Sequence, residues 1–353
     1  MDQNNYLDMK KKAACLIYGN SAHYLDHLAP LSYFLDIPLI SNVEEIIDEC
    51  RKYYPEVKAI HIDNLQINFF VVQNFDNLIM CTPKIFFDSE FRIHQDVLNK
   101  DIKIIWCPHG NSDKGKTIFF FEGLKNEKKI LVYGQKMIDF LKEKNVFHTI
   151  DSSISIGNYR YEYFQKHLKF HKKIIENEIQ KKLPSNNLNI LYTPTWEDKE
   201  RSSSFQKHIE LLLKKLPKSF NLIIKLHPNL IKKNAVQIDI LIAQCKKSNI
   251  LFLKNCPLIY PLLDYIDVLL GDFSSIGYDF LTFNKPMFIF KSDNEKLSSD
   301  LFNIATMIED ENIYETIEKN MKNDKREEKI KKLYNYTFDK IKNFNNLKKM
   351  VFE

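Results

Sequence analysis

Glycine is scarce in this chain, with eight in 353 residues. Cysteine is sparse too, and none of its six residues forms a CxxC pair. Cys15, Cys50, Cys81, Cys107, Cys245 and Cys256 mostly stand in apolar runs. That pattern excludes a disulfide framework and a zinc site, and it reads as reduced core thiols of a cytoplasmic protein. No apolar run approaches the ~18 residues of a membrane span. The opening MDQNNYLDMKKKAACLIYGN carries acidic residues and only a short apolar run, unlike a signal peptide. The expectation is a cytoplasmic protein that meets a membrane, if at all, at its cytoplasmic face. There is no repeat of fixed period and no acidic cluster of DxD type. The net charge of +5, with a pI near 8.6, falls short of a nucleic-acid-binding arm. It suits anionic substrates or an anionic surface.

What is present is a globular balance, 44% hydrophobic and 27% charged, in a chain long enough for two domains. AACLIYGN, KAIHI, NLIMCTP, DIKIIWCPHG, KILVYG and HTIDSSISIGN read as strands separated by helical segments. SAHYLDHLAPLSYFL reads as a helix, interrupted or bent at Pro30. A basic helical stretch over 161–187 ends in Pro-Ser-Asn-Asn, the expected linker. A second series follows, with strands at LNILYTPTW, FNLIIKLHP, NILFLKN, DVLLGD and KPMFIF. The alternation predicts two layered α/β domains with parallel sheets, over 1–180 and 187–322. An amphipathic helix is predicted over 323–353. Its apolar face carries Ile330, Leu333, Tyr334, Thr337, Phe338, Ile341 and Phe344. Packing on the protein body is the favoured reading of that face, and peripheral membrane contact is the other.

Five of the glycines, Gly19, Gly110, Gly134, Gly157 and Gly271, fall at the C-terminal ends of strand segments. That edge is where open α/β sheets bind ligands. In GDFSSIGYDF, a helix starting near Ser274 would present N–H groups to an anion, with the Ser274 and Ser275 hydroxyls beside them. Asp279 lies one turn further on, suited to accept hydrogen bonds from substrate hydroxyls. Asp272 is read as organising the turn, and helix capping by Asp272 or Ser274 is the alternative to a ligand site. His109 and His227 each close a strand, one in each domain, and histidine is the usual neutral-pH base. The alternative for each is a local bond to backbone. His23 and His27, four apart, read as a helix face, with no third metal ligand in sight. Thr195 and Trp196 stand at another strand end, with Trp196 either packing or walling a ligand.

Taken in order, ILYTPTW, IIKLHPN, LLGDFSSIGYDF and NKPMFIF resemble the CDP-glycerol glycerophosphotransferases, which build teichoic-acid-like and capsule polymers. In the first half, HGNSDKG resembles that family's His-Gly-Thr-Pro-Leu-Lys loop, and IGNYRYE its Gly-x-Pro-Arg turn. Asn111-Ser112-Asp113, Phe273 and Tyr159 depart from the family pattern. The resemblance implies a glycosyltransferase-B-type fold, two Rossmann-like domains facing across a cleft. It implies His109 as the base, with His227 and Asp279 also catalytic. Ser274, Ser275, Gly271, Thr195, Lys225 and Arg160 would bind the donor, and Gly110 and Lys114 would lie on the acceptor side. The reaction implied is transfer of glycerol phosphate from CDP-glycerol to a polymer or lipid-linked acceptor, with release of CMP. No cofactor is required by it, and a divalent metal would be held mainly by substrate phosphates. A nucleotide-sugar glycosyltransferase of the same fold is the alternative. A non-catalytic subunit of a polymer assembly is the alternative from another class.

Overall fold

The structure, a computed structural model, describes residues 13–111, 113, 121–197, 203–254, 256–292, 298–309, 311–322, 326–341 and 343–352. Contacts divide the chain into two compact units. One gathers the described residues of Met1–His109, Phe119–Tyr163 and Phe338–Glu353; the other gathers those of Gly110–Ile118 and Phe164–Thr337.

The first unit holds seven strands: β1 (Ala13–Ile17), β2 (Leu39–Ser41), β3 (Ala59–His61), β4 (Asn77–Met80), β5 (Lys103–Trp106), β6 (Lys129–Val132) and β7 (Ser152–Ser155). They pair in parallel in the order β3-β2-β1-β4-β5-β6-β7. Strand β1 is buried at every position because a parallel sheet is covered on both faces. The covering helices are amphipathic. In Glu44–Tyr53 the residues Ile46, Ile47, Cys50 and Tyr53 face inward at helical spacing. The helix Leu25–Leu35 runs through Pro30 without ending there.

The second unit holds β8 (Leu188–Thr193), β9 (Phe220–Lys225), β10 (Ile250–Leu253), β11 (Val268–Gly271), β12 (Met287–Phe290) and β13 (Thr306–Ile308), all parallel, in the order β10-β9-β8-β11-β12-β13. Alternate residues feed two cores. Ile190, Leu222, Ile224, Leu270 and Phe288 point to one face. Leu191, Ile223, Leu269 and Ile289 point to the other. This is the period-2 alternation of a strand, apolar on both sides.

Both sheets are doubly wound, as the strand–helix alternation predicts. The short strands β2 and β13 carry too few residues to register as periodic runs. The helix Leu168–Glu178 belongs to the second unit, since its Ile175, and Ile179 and Leu183 just after it, enter that unit's core. The units therefore part at 163 and 164, upstream of the Pro-Ser-Asn-Asn turn. The single C-terminal helix is corrected as well. A helix over Glu327–Thr337 packs Ile330, Leu333 and Tyr334 on the second unit's core. The chain then breaks, and Phe338 onward joins the first unit, ending in the helix Leu347–Phe352. The break follows from backbone pairing, because the Asp339 N–H donates to the Tyr133 carbonyl at 2.9 Å.

Candidate functional site

In the second unit, β8 leads to β9 on one side and β11 lies on the other. The switch point of this sheet is therefore at the C-terminal ends of β8 and β11. Gly271 closes β11 opposite Thr193, which closes β8. A Cβ on Gly271 would lie 2.5 Å from Thr193 Oγ1 and 2.9 Å from its carbonyl oxygen. Close strand approach, rather than a positive φ, is what requires glycine here. The next residue, Asp272, is buried and accepts from the backbone N–H of Thr195 at 2.8 Å and of Ser204 at 3.1 Å. It also accepts from the Thr195 hydroxyl at 3.2 Å. Asp272 thus clamps both ends of the segment that leaves β8. The Thr195 side chain is committed to that clamp, so Thr195 organises the edge.

Ser274 precedes the helix Ser275–Phe280 in extended conformation and makes no side-chain cap bond. Its hydroxyl is not used to cap the helix. Gly110 packs on Ser275. At φ +124°, a Cβ there would fall 2.5 Å from Ser275 Cβ, so only glycine fits. Asp279 is buried, and Tyr260 donates to its Oδ1 at 3.1 Å. Asp279, expected to face substrate, thus has one carboxylate oxygen engaged by Tyr260 beneath the turn.

Lys225 ends β9, half-buried, and His227 follows it as the N-cap of the helix Pro228–Lys233. His227 Nδ1 accepts the Asn229 N–H at 3.1 Å. In the neutral ring the proton must then sit on Nε2, which makes that atom a donor. Trp196 lies 6.4 Å from the His227 ring, and Lys233 Nζ lies 4.8 Å above the Trp196 ring. Trp196 also packs against the core. Of the two readings of this aromatic, the packing one is the one its contacts describe.

The first unit holds the other histidine group. His109 follows β5, and its ring lies 6.2 Å from His23, 5.1 Å from Tyr24 and 6.5 Å from His27. It is hydrogen-bonded to the Cys81 backbone. Burial, and next the neighbouring His23, push its pKa down to about 4. His109 is therefore neutral at pH 7, the state a base requires. Arg160, expected to bind the donor, has a partner within its own unit. It is buried, pairs with Asp26 through Nη2, and donates from Nε to Asp26 Oδ2 at 2.9 Å. Tyr54 shares that carboxylate at 3.0 Å. This closed ion pair gives Arg160 a structural role. Lys114 lies outside the described residues.

Residues 125–346 match the profile of the CDP-Glycerol:Poly(glycerophosphate) glycerophosphotransferase family. The chain belongs to that family. It is thus a transferase of glycosyltransferase-B architecture, as its motifs resemble. Among solved structures, a histidine-to-alanine variant of the wall teichoic acid polymerase TagF is similar. It has a TM-score of 0.67 and 14% identity, over 96% of this chain and 88% of that one. S. aureus MnaA with UDP has a TM-score of 0.58 and 12% identity, over 96% and 94%. The Neisseria meningitidis UDP-GlcNAc 2-epimerase bound to UDP-GlcNAc has 0.56 and 14%, over 96% and 98%. At these identities the similarity shows the fold alone. No curated protein sequence matches the chain.

Two features of this family member escaped sequence reading. Asp113, where the family has leucine, accepts from the hydroxyls of Tyr278 and Ser299. Its departure from the family pattern was the available signal. Lys285, of the family's Lys-Pro strand, donates from Nζ to the Asp264 and Ile266 carbonyls at 2.6 and 2.7 Å. It caps the helix Tyr260–Tyr265, which explains the motif structurally. Among the described residues no cluster of three His, Cys, Asp or Glu is arranged for a metal, and no helix is long and apolar enough to cross a membrane.

Proposed function

We propose that this chain transfers glycerol phosphate from CDP-glycerol to a hydroxyl of a cell-surface polymer or its lipid-linked precursor, releasing CMP at the cytoplasmic face of the membrane. The observation that carries the reading is His109, half-buried at the end of β5 among His23, Tyr24 and His27, in the His-Gly motif of a glycerophosphotransferase family member. His109 takes the proton of the acceptor hydroxyl. The acceptor oxygen bonds to the β-phosphorus, and the bond from that phosphorus to the bridging oxygen breaks. CMP leaves with the electron pair. A loose phosphoryl transition state asks the protein mainly for positioning and charge stabilisation. His227 Nε2–H and the hydroxyls of Ser274 and Ser275 supply donors to the donor phosphates, with Lys225 adding positive charge. A divalent cation, where used, would arrive on those phosphates. The soak of a TagF variant with CDPG supports the choice of donor.

Calorimetry with CDP-glycerol, CDP-ribitol, UDP-sugars and CMP tests the reading. CDP-glycerol is expected to bind selectively, weakened about tenfold or more by Ser275→Ala and by His227→Ala. Selective binding of a UDP-sugar would replace the reading with nucleotide-sugar transfer. The nucleotide released in turnover, CMP or UDP, separates the two.

A further inference from the structure

We infer that Tyr133 is a positioning residue for His109, its single hydroxyl tying together the two pieces of chain that hold the catalytic ring. The inference rests on the reading of His109 as the base. Tyr133 follows β6. Its hydroxyl donates to the Pro108 carbonyl at 3.1 Å, one residue before His109. The same oxygen lies 2.9 Å from His27 Nδ1. A tyrosine has one hydroxyl proton, and the Pro108 carbonyl can only accept. That proton is spent on Pro108, so His27 Nδ1 must be the donor in the second bond. His27 is thereby fixed as the Nδ1–H tautomer. Its ring meets the His109 ring nearly edge-on, at 86°. Burial holds His27 neutral, its pKa well below the ordinary value. Arg160, His109 and His23 act in the same direction. The Tyr133 hydroxyl thus braces His109 along the chain through Pro108 and across space through His27.

Tyr133 is itself braced. Its ring stacks on Tyr159 at 6.0 Å and 8°. Tyr159 in turn donates to the His27 carbonyl at 3.0 Å. Phe338 meets the Tyr133 ring edge-on at 5.8 Å. Asp339 N–H holds the Tyr133 carbonyl. The returning C-terminal segment therefore backs the residue that orients the base.

The test separates hydroxyl from ring with Tyr133→Phe, which keeps the stack. Turnover is read as CMP release from CDP-glycerol with a short poly(glycerophosphate) acceptor. Imidazole correlation spectra of 15N-histidine-labelled protein report the His27 tautomer. The expected result is a kcat lowered about tenfold to a hundredfold with the donor KM unchanged. The melting temperature should stay within a few degrees, and His27 should lose its pure Nδ1–H signature. An unchanged kcat with an unchanged His27 signature overturns the inference. So does a kcat loss that only follows a matching loss of stability and a raised KM. His109→Ala runs beside it. Should that variant keep full turnover, the base reading fails, and the imidazole spectra alone decide whether Tyr133 orients the rings.

Discussion

At pH 7 His109 is a neutral imidazole, and its lowered pKa bears on how the protein responds to acid. Its folded pKa of about 4 lies below the ordinary 6.5. Activity needs the unprotonated ring. The acid limb of kcat/KM is therefore expected nearer pH 4 than 6.5, and a limb centred at 6.5 would assign it to another group. Stability follows the same shift. Above pH 6.5 neither folded nor unfolded state binds the proton. As pH falls toward 4 the unfolded chain binds it and the folded chain does not, so stability drops. The His109 contribution is about 3 kcal/mol, and His27 adds to it in the same direction. His109→Gln should flatten part of this fall in urea melts run between pH 7 and 4. Gly271 gives a second prediction at this scale. Gly271→Ala should cost about 1–3 kcal/mol, since its Cβ would sit inside contact distance of Thr193. Thr193→Ala should return only part of that loss, because the Thr193 carbonyl remains in the way. Full recovery in the double variant would refute the backbone share of the clash.

Among elements, the segment leaving β8 is held by one carboxylate. Asp272→Ala would leave the Thr195 and Ser204 N–H groups buried without their acceptor, at a cost of about 2–4 kcal/mol. Denaturant midpoints should show that loss, together with weaker CDP-glycerol binding. Asp272→Asn keeps an acceptor oxygen and should lose less. Wild-type stability in Asp272→Ala would mean the clamp holds nothing. The helix after Ser274 has only six residues before it tightens over Leu281–Phe283. Such a helix develops little macrodipole, so the local hydroxyl donors carry the anion reading.

Across the whole molecule, the chain does not finish where its second unit does. Residues 338–352 return to the first unit and bury Phe338, Leu347 and Val351 there. Lys129 Nζ also donates to the Val351 carbonyl at 2.8 Å. Ending the chain after Thr337 should destabilise the first unit by roughly 1.5–3 kcal/mol for each buried apolar side chain lost. Hydrogen exchange should quicken at β6 while the second unit's β8 and β11 stay protected. Equal loss in both units would contradict the division.

By itself, the sequence determined the strand–helix alternation, the two parallel sheets and the strand-end placement of His109, His227, Gly271 and Ser274–Ser275. These are local properties. Apolar runs, their spacing and the turn residues that end them are written in consecutive positions. It also carried the ordered motifs that mark the family. Tertiary structure alone decided which polar groups are already committed. Arg160 matches a motif, yet its partner Asp26 lies 134 positions away. Asp279 reads as a substrate contact, and its bond from Tyr260, 19 positions away, shows only in the fold. The apolar face over 330–344 looks like one helix because periodicity does not record Asp339 pairing with Tyr133. A side chain's neighbours across a sheet or helix layer leave no trace in its own sequence window. Burial and partnership therefore became legible only in the folded chain.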